Sequence, residues 1–472
     1  MATPSYIEDH ISQIPALQLL IKMGYQYLSP DEAMELRAGR TSNVLLEPIL
    51  KKQLEKINSI QYKEKEFSFS DSNINTAIIA LRELPIQDGF TKANQAFYDL
   101  ITLGKSLEQT ILNDKKSFSF QYIDWKNIEN NTFHVTEEYA VLRSERNDTY
   151  RPDIVLFING IPMVVIECKS NVIKNPVNEA ISQHLRNQQE DGIRGLYQYS
   201  NLVLSLAVNE ARYATTATQK EFWSVWKEIF RTKEEGIQYG DAIKELKNSE
   251  LPNTERTAIF KQRFSNVLHY FNQLEKEEIL VTEQDKLLFS LCQKSRMLDL
   301  IFNYIVYDDG VKKITRYQQY FAIKETLKKI SIADANGKRT GGVIWHTQGS
   351  GKSLTMVMLA QMIATQKDIK NPKIILVTDR IDLNTQITET FQKCHVEVEE
   401  AQTGKHLVEL INSPTDAVIT TLIHKFEAAI NQSKDGFTSP NIFVLIDEGH
   451  RSQYGTLNVK MQKDFPNACL LA

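Results

Sequence analysis

Cysteine is scarce in this chain of 472 residues, and its four cysteines (Cys168, Cys292, Cys394 and Cys469) lie far apart without a C-x-x-C pair. This spacing argues against a disulfide framework or a cysteine zinc site and fits a reducing cytoplasm. Long hydrophobic runs are missing too, since no stretch approaches the roughly 20 apolar residues that span a bilayer. The N-terminus has no basic region followed by an apolar one, so we expect neither a secretory signal nor a membrane protein.

A strong excess of charge of one sign is also absent. The net charge is −4, so charge alone does not indicate a nucleic-acid partner, and any such contact must use local patches. With 42% hydrophobic and 24% charged residues, the composition is that of a globular protein, and the length is sufficient for two to four domains.

The hydrophobic pattern changes several times along the chain. Residues 1–120 are mostly helical in pattern, residues 133–169 are rich in β-strand runs, and a helix over Val177–Gln189 precedes the strand NLVLSLAV. Helical patterns return over 217–310, and from Ile314 strands and helices alternate, which predicts a parallel sheet covered by helices. We therefore expect an α/β protein with domains at 1–220, 221–310 (a helical linking region) and 311–472.

The most specific motif is TQGSGKS, residues 347–353, which follows an apolar run and opens a predicted helix. A triphosphate needs many donors without steric bulk, and Gly349, Ser350 and Gly351 let backbone N–H groups surround the β-phosphate. Lys352 would reach the β- and γ-phosphates, and the Ser353 hydroxyl would ligate Mg²⁺. The alternative, a Gly/Ser turn that only caps a helix, is disfavoured by the strand–loop–helix setting.

A second motif, VLIDEGH, is an apolar strand that ends in two carboxylates, Asp447 and Glu448. In an open α/β sheet the carboxyl ends of the strands form the ligand site. We expect Asp447 to hold the Mg²⁺ shell and Glu448 to polarise the attacking water. An isolated Asp-Glu pair is more often a solvated turn, but here it follows a phosphate loop.

These motifs resemble the first RecA-like motor domain of superfamily 2 helicases and translocases, whose motifs I and II read like TQGSGKS and DEGH. The resemblance implies that Gln318, in RYQQ, contacts adenine, and that Thr378, Arg380 and Thr421 touch the phosphates of one DNA strand. A helix cap for a threonine and a surface cation for Arg380 are the structural alternatives. The chain stops at NACLLA, before motif III and the second motor domain with its arginine finger. We therefore expect a truncated motor that hydrolyses ATP slowly, because losing such a finger costs on the order of 10³–10⁵ in rate.

The stretch IPMVVIECKS places Glu167 and Lys169 at the end of an apolar strand, where buried charge is costly unless it is paired or bound to a metal. Upstream lie Asp153, an apolar run and an Asn159-Gly160 turn. A two-residue loop would turn Asp153 to the wrong face, so we predict a three-residue loop of residues 158–160 that sets Asp153 opposite Val165. Asp153 and Glu167 would then hold one Mg²⁺, with Lys169 beside the scissile phosphate. The alternative is an edge strand with a surface Glu–Lys pair, but the strand looks buried on both faces.

This segment resembles the PD-(D/E)xK nuclease core, a mixed sheet flanked by helices. The order of motifs along nearly the whole chain is similar to the restriction (R) subunit of type I restriction enzymes. That family has a Gln-x-x-x-Tyr element after the nuclease strands, whereas here Gln183 is followed by Asn187. The resemblance implies that Gln183 contacts DNA or orients Lys169, and Glu138 is a further candidate acid near the metal, although a lone strand glutamate is more often solvated.

The resemblance also implies the activity and the partners. An R subunit would use ATP and Mg²⁺ to pump double-stranded DNA past itself, while methyltransferase (M) and specificity (S) subunits find an unmethylated site, and it would cut away from that site. Two alternatives stay open: a superfamily 2 motor with a non-cutting nuclease-like module, and a scaffold that binds partners through its helical regions. The recognition sequence, the cleavage position and the subunit stoichiometry do not follow from the sequence.

Overall fold

The computed structural model describes residues 7–472 apart from 262, 336, 346–350, 367, 416, 433–435, 448–460 and 462. The chain divides into two compact units, one formed by Met1–Phe302 with Val311–Ile314 and the other by Asn303–Gly310 with Thr315–Ala472. Both units combine helices with sheets, so the predicted α/β class is confirmed.

The first unit carries most of the helices and antiparallel strands. Its helices are α1 (Ile14–Lys22), α2 (Pro30–Glu35), α3 (Glu47–Ile57), α4 (Asp71–Arg82), α5 (Phe90–Leu103), α6 (Pro176–Asn187), α7 (Arg194–Tyr197), α8 (Lys233–Asn248), α9 (Asn253–Phe260), α10 (Ser265–Leu274), α11 (Glu283–Leu291) and α12 (Lys294–Asn303), with a π-helical segment at Asp9–Gln13 and 3₁₀ turns at Ile86–Asp88, Ile128–Asn130 and Lys220–Phe222. Its strands are β1 (Gln26–Tyr27), β2 (Ser59–Tyr62), β3 (Lys65–Ser68), β4 (Lys105–Ile111), β5 (Asp114–Phe120), β6 (Phe133–Glu137), β7 (Val141–Leu142), β8 (Thr149–Tyr150), β9 (Ile154–Ile158), β10 (Ile161–Cys168), β11 (Leu202–Ala207) and β12 (Glu210–Ala214). The short strands β13 (Ile305–Asp308) and β14 (Val311–Ile314) follow.

A six-stranded mixed sheet forms the centre of the first unit, in the order β1-β6-β9-β10-β11-β12. The pairs β1–β6 and β10–β11 are parallel, and the other three pairs are antiparallel. Every residue of β9, β10 and β11 is buried, as expected for unbroken runs of Val, Ile and Leu between two covering layers. The prediction that the strand IPMVVIEC is buried on both faces is therefore confirmed.

The N-terminal 120 residues contain more strand than the helical pattern predicted. Two antiparallel hairpins, β2–β3 and β4–β5, lie between the predicted helices. Their turns hold Lys63 and Glu64, and Leu112 and Asn113, all at positive φ. None of these residue pairs is the Asn-Gly or Asp-Gly signature of a tight hairpin turn, and the strands are rich in polar residues and only four to seven residues long.

The second unit contains α13 (Tyr317–Ile330), α14 (Lys352–Ala364), α15 (Ile381–Lys393), α16 (Gly404–Asn412), α17 (Ile423–Gln432), β15 (Lys373–Thr378), β16 (Glu399–Glu400), β17 (Ala417–Leu422), β18 (Ile442–Ile446) and β19 (Cys469–Leu471). Five of its described strands form one parallel sheet, in the order β16-β17-β15-β18-β19. The predicted parallel sheet is confirmed, and its inner face packs on α16 and α17 through Leu407, Phe426 and Ile430. Among the described residues, no helix has both the length and the apolar character needed to cross a bilayer.

Candidate functional site: an acidic cluster beside Lys169 and a phosphate-loop helix

The turn between β9 and β10 contains two residues, so the predicted three-residue loop is wrong. Ile158 pairs with Ile161, and Asn159 and Gly160 adopt φ values of 53° and 83°. These values are those of a primed turn, which the Asn-Gly pair favours. The turn is packed against the protein, since a Cβ on Gly160 would lie 2.6 Å from the carbonyl oxygen of Leu46. Neighbouring backbone therefore leaves no room for a side chain at position 160.

A bulge further along β10 then corrects the register. Pairing shifts between Pro162 and Val164, after which Val165 pairs with Val155 and Ile166 with Ile154. Continued by one residue, this register sets Asp153 opposite Glu167, where side chains share one face. The backbone N–H of Cys168 donates to Oδ2 of Asp153 at 2.6 Å. The two carboxylates thus share a face, as expected, but through a bulge rather than a longer loop.

Lys169 completes a compact charged cluster with these two acids. Its Nζ lies 3.8 Å from Asp153 Oδ2 and 3.3 Å from Glu8 Oε1, and it donates to the carbonyl oxygen of Cys168 at 2.7 Å. Burial alone would lower the pKa of Lys169. The negative charges of Asp153, Glu8 and Glu167 have the larger combined effect, and the net result is a raised pKa. The lysine therefore carries a full positive charge in the cluster at neutral pH.

Burial has the largest effect on the pKa values of Asp153 and Glu167. It raises the pKa of Asp153 to about 6, against the opposing effects of Lys169 and the Cys168 N–H. Burial and the neighbouring charge of Asp153 raise the pKa of Glu167 well above its usual range. Two desolvated carboxylates side by side repel one another, and a bound cation relieves that repulsion.

The donor set fits a hard divalent cation. Glu167 Oε2 is buried and has no hydrogen-bond partner, and carboxylate and carbonyl oxygens are the ligands that Mg²⁺ prefers. In the described part of the chain, no group of three or more His, Cys, Asp or Glu side chains is arranged to hold a metal. Asp153 and Glu167 could hold Mg²⁺ together with water molecules.

Two further residues of the cluster come from the N-terminal segment, and sequence reasoning missed both. Gln13 Nε2 donates to Glu138 Oε1 at 3.0 Å and to the backbone oxygen of Asp153 at 3.3 Å, and Glu8 faces Lys169. Glu138 follows β6 with φ of 49°, and its backbone N–H donates to the oxygen of Asp153 at 3.1 Å. The candidate acid Glu138 is thus part of the cluster. The available sequence signal was a polar Gln13 among the apolar residues of a helical stripe, and in the structure this side chain is 2% exposed.

Helix α6, which follows β10, contributes Asn187 to the cluster rather than the expected Gln183. Asn187 Nδ2 donates to Glu167 Oε1 at 3.2 Å, and its side chain is buried. Gln183 lies one turn earlier on α6 and is half-buried. Asn187, which stands where the Gln-x-x-x-Tyr element has its tyrosine, therefore contacts the cluster directly.

The phosphate loop lies partly outside the described residues, which include neither Gly349 and Ser350 nor Glu448. Gly351 caps α14 with φ of 85°, and Lys352 and Ser353 begin that helix. Gln319 Nε2 donates to the carbonyl oxygen of Gly351 at 3.0 Å, whereas Gln318 is exposed. Asp447 follows β18, and its backbone N–H donates to the oxygen of Val377 at 3.1 Å. The helix N-terminus and Asp447 follow the pattern of a nucleotide site at the carboxyl ends of parallel strands.

The three expected DNA-contact residues differ in exposure. Thr378 and Thr421 are fully buried at the ends of β15 and β17, and the Thr378 hydroxyl lies 3.4 Å from Asn384 Oδ1. Neither hydroxyl reaches the surface, so direct phosphate contact is not open to them in this structure. Arg380 is exposed at the start of α15, where a phosphate could approach.

Comparison with known proteins supplies the family. The family described as "Type I restriction enzyme R protein N terminus" matches residues 5–222, and the family described as "SWI2/SNF2 ATPase" matches residues 318–472. The putative type I restriction enzyme MjaIXP endonuclease subunit of Methanocaldococcus jannaschii is 27% identical over 98% of this chain and 42% of its own length. The type I restriction enzyme HindI endonuclease subunit of Haemophilus influenzae is 27% identical over 95% of this chain and 39% of its own length.

The matches cover both units, although the chain spans only about two-fifths of the length of these curated relatives. The first match contains the acidic cluster, and the second contains the phosphate-loop helix and Asp447. An SNF2-type ATPase region preceded by an R-protein N-terminal region is the arrangement that the sequence motifs predicted. The chain therefore matches the N-terminal portion of type I restriction enzyme R (endonuclease) subunits over nearly its whole length.

Proposed function

We propose that this chain carries the Mg²⁺-dependent nuclease and the first ATP-driven motor domain of a type I restriction–modification complex that translocates double-stranded DNA and cuts it away from the recognition site. The observation that carries the proposal is the buried pair of Asp153 and Glu167, one of whose carboxylate oxygens lacks a partner, with the Lys169 ammonium beside them. A structural role alone does not account for this arrangement, since burying unsatisfied acids is costly.

The first unit would act as a PD-(D/E)xK nuclease. Asp153 and Glu167 would hold Mg²⁺. The ion would lower the pKa of an attacking water and place positive charge at the scissile phosphate. Lys169 holds a second positive charge there, where negative charge develops in the transition state. Glu8 and Cys168 position the ammonium, and Gln13 orients Glu138 and the backbone of Asp153.

The second unit would act as the first RecA-like motor domain. Residues 349–353 would surround the phosphates of ATP, with Lys352 on the β- and γ-phosphates and Ser353 and Asp447 at Mg²⁺. Gln319 steadies the loop by bonding the Gly351 carbonyl, and Gln318, exposed one residue earlier, is free to approach the base. Glu448 would polarise the attacking water, and Arg380 would contact the DNA backbone.

The partners follow from this role. The sequence motifs assign none of the described residues to reading bases, and in this proposal M and S subunits in the cytoplasm supply recognition and methylation status. Contacts to the duplex would be to phosphates, because a motor must accept any sequence. The domains would be a nuclease domain over 1–220, a helical linking region over 221–310 and a motor over 311–472.

The test uses the full-length R subunit that contains this chain, assembled with its M and S subunits and supplied with unmethylated plasmid, Mg²⁺ and ATP. We expect cutting only when ATP is present. Lys169→Ala should abolish cutting and leave ATPase activity within about twofold. A matched control is Lys126→Ala, which removes an exposed lysine of the same unit outside the cluster.

Two results would overturn the proposal. Cutting that persists in Lys169→Ala would exclude the cluster as the nuclease centre. ATPase activity and translocation without cutting under any condition would favour a motor whose N-terminal module does not cut.

A further inference from the structure

Gln284, the second residue of α11, contacts the N-terminal segment through both ends of its side-chain amide. Its Oε1 accepts from the Ser12 hydroxyl at 2.9 Å, and its Nε2 donates to the backbone oxygen of Ser12 at 3.3 Å. Ser12 is 0% exposed and Gln284 is 1% exposed. Because a buried polar group without a partner is costly, this pair of hydrogen bonds holds Ser12 in place relative to α11.

The same glutamine also holds the turn that follows β11. The backbone N–H of Val208 donates to Gln284 Oε1 at 3.1 Å, and the backbone N–H of Gln284 donates to the oxygen of Val208 at 3.1 Å. Val208 has φ of 39°, a conformation that is unfavourable for a β-branched residue and persists only where the surroundings hold it. Strand β11 borders the acidic cluster, since its Leu206 oxygen accepts from the backbone N–H of Lys169 at 2.8 Å. Gln284 therefore joins the N-terminal segment to the strand beside Lys169.

The residue after Ser12 is the one that reaches the cluster. Ser12 and Gln13 end the π-helical segment, a form of helix that is frequent at functional sites. The Gln13 amide donates both to Glu138 and to the backbone oxygen of Asp153. A path of hydrogen bonds thus runs from Gln284 to Ser12 and, one peptide further along the chain, from Gln13 to the cluster.

Two further contacts attach the same part of the nuclease sheet to the helices before α11. The ring of Tyr270, in α10, stacks on His10 of the π-helical segment with centroids 4.9 Å apart. Arg263, just before α10, donates to Glu137 Oε1 at 3.0 Å and also pairs with its second oxygen. Glu137 is 2% exposed and precedes Glu138, and a buried pair with two such bonds has a specific geometry. These helices therefore border one side of the cluster.

We infer that Gln284 is a positioning residue of the nuclease, and that the helical region over 221–310 completes the nuclease centre instead of only linking it to the motor. By fixing Ser12, Gln284 keeps Gln13 against Asp153 and Glu138. The inference rests on the proposed nuclease function. Residues that orient metal ligands typically change metal affinity by about 10–100-fold, and Gln284 acts one residue further away, so its effect should be somewhat smaller.

The test measures the Mn²⁺ affinity of the 472-residue chain by calorimetry without nucleotide, counting only the binding that Glu167→Gln removes. Gln284→Met keeps the approximate volume and deletes the amide. The matched control is Asn58→Leu, because the buried Asn58 amide likewise joins two distant segments, bonding the backbone N–H and oxygen of Gln121 at 2.7 Å and 2.8 Å. Both variants should lower the melting temperature, since each leaves a backbone N–H without its partner.

We expect Gln284→Met to weaken Mn²⁺ binding about fivefold or more, and Asn58→Leu to leave it within about twofold. Gln13→Met should weaken binding as well. Because Gln284 acts through Gln13, adding Gln284→Met to Gln13→Met should weaken binding by no more than about a further twofold. If Gln284→Met does not fold, Ser12→Ala, which removes only the hydroxyl that bonds Gln284, is tested in its place.

Three results would decide against these statements. Binding in Gln284→Met that equals the control overturns the positioning role while the proposed function stands. Effects of Gln284→Met and Gln13→Met that multiply in the double variant also overturn it, because the two residues would then act independently. A wild-type chain with no Glu167-dependent binding overturns the proposed function itself.

Discussion

The Cys168 backbone N–H and the Asp153 side chain are joined by a hydrogen bond of 2.6 Å that links the end of β10 to the residue just before β9. A hydrogen bond to a charged oxygen is stronger than one between neutral groups, and it fixes the direction of the carboxylate. Together with the bulge after Pro162, it determines which face of the sheet carries the acids.

Asp153→Asn removes the negative charge of this residue and keeps an oxygen that can accept a hydrogen bond. The amide oxygen can still accept from Cys168, and burial already raises the pKa of the acid to about 6, so the neutral side chain should cost no stability. We expect the free energy of unfolding at pH 7 to be unchanged or to rise by about 1–3 kcal/mol. Mn²⁺ affinity should fall at least about tenfold, because one of two ligating charges is lost. Chemical denaturation and calorimetry measure the two effects, and unchanged affinity would exclude Asp153 as a ligand.

Glu8→Gln tests the residue that the N-terminal segment brings to Lys169. The side chain of Glu8 is 35% exposed, so losing its ion pair should cost less than about 1 kcal/mol of stability. The lysine loses one positioning partner, and we expect the cutting rate at saturating Mg²⁺ to fall several-fold while ATPase activity is unchanged. Glu35→Gln, at an exposed residue of α2, is the control. An unchanged cutting rate would mean that Glu8 has no part in positioning Lys169.

Gly351→Ala tests the cap of the phosphate-loop helix. Gly351 has a positive φ, and an added Cβ would lie 2.7 Å from Gln319 Nε2. The positive φ strains any residue with a Cβ, and the Gln319 side chain must move off the loop that it bonds, so we expect ATP binding to weaken at least about tenfold. Gly240→Ala, within α8 and with open space around its Cβ, should leave binding unchanged and slightly stabilise the chain. Normal nucleotide affinity in Gly351→Ala would exclude this part of the loop from the site.

His134 should make the stability depend on pH. Burial lowers its pKa from 6.5 to about 4. Below pH 6.5 the unfolded chain takes up a proton that the folded chain resists, so stability is fully present above pH 6.5 and falls as the pH drops towards 4. Between pH 6.5 and pH 5 this histidine should cost about 2 kcal/mol. In His134→Leu the loss of stability from pH 7 to pH 5, measured by chemical denaturation, should be smaller than in the wild-type chain by that amount. If the variant loses as much stability as the wild-type chain, other groups control the pH dependence.

The sequence alone determined the order of the strands and the chemistry at their ends. A strand that is covered on both faces requires an unbroken apolar run, so such a run predicts a buried strand. Strands β9, β10, β15 and β18 accordingly lie where the pattern predicted. The glycine and lysine of the phosphate loop are readable because few other residues meet the needs of a bound phosphate. The parallel sheet of the second unit followed from these local signals, whereas the mixed sheet of the first unit was expected from the family resemblance.

Only the tertiary structure decided which distant side chains share the acidic cluster. Local signals indicated a turn at Asn159-Gly160 but not the bulge after Pro162, because a bulge depends on how the neighbouring strand packs. Gln13 lies 140 residues before Asp153, and Asn187, which contacts Glu167, lies 20 residues after it. Such contacts arise from packing between elements, and no local periodicity in the sequence records them.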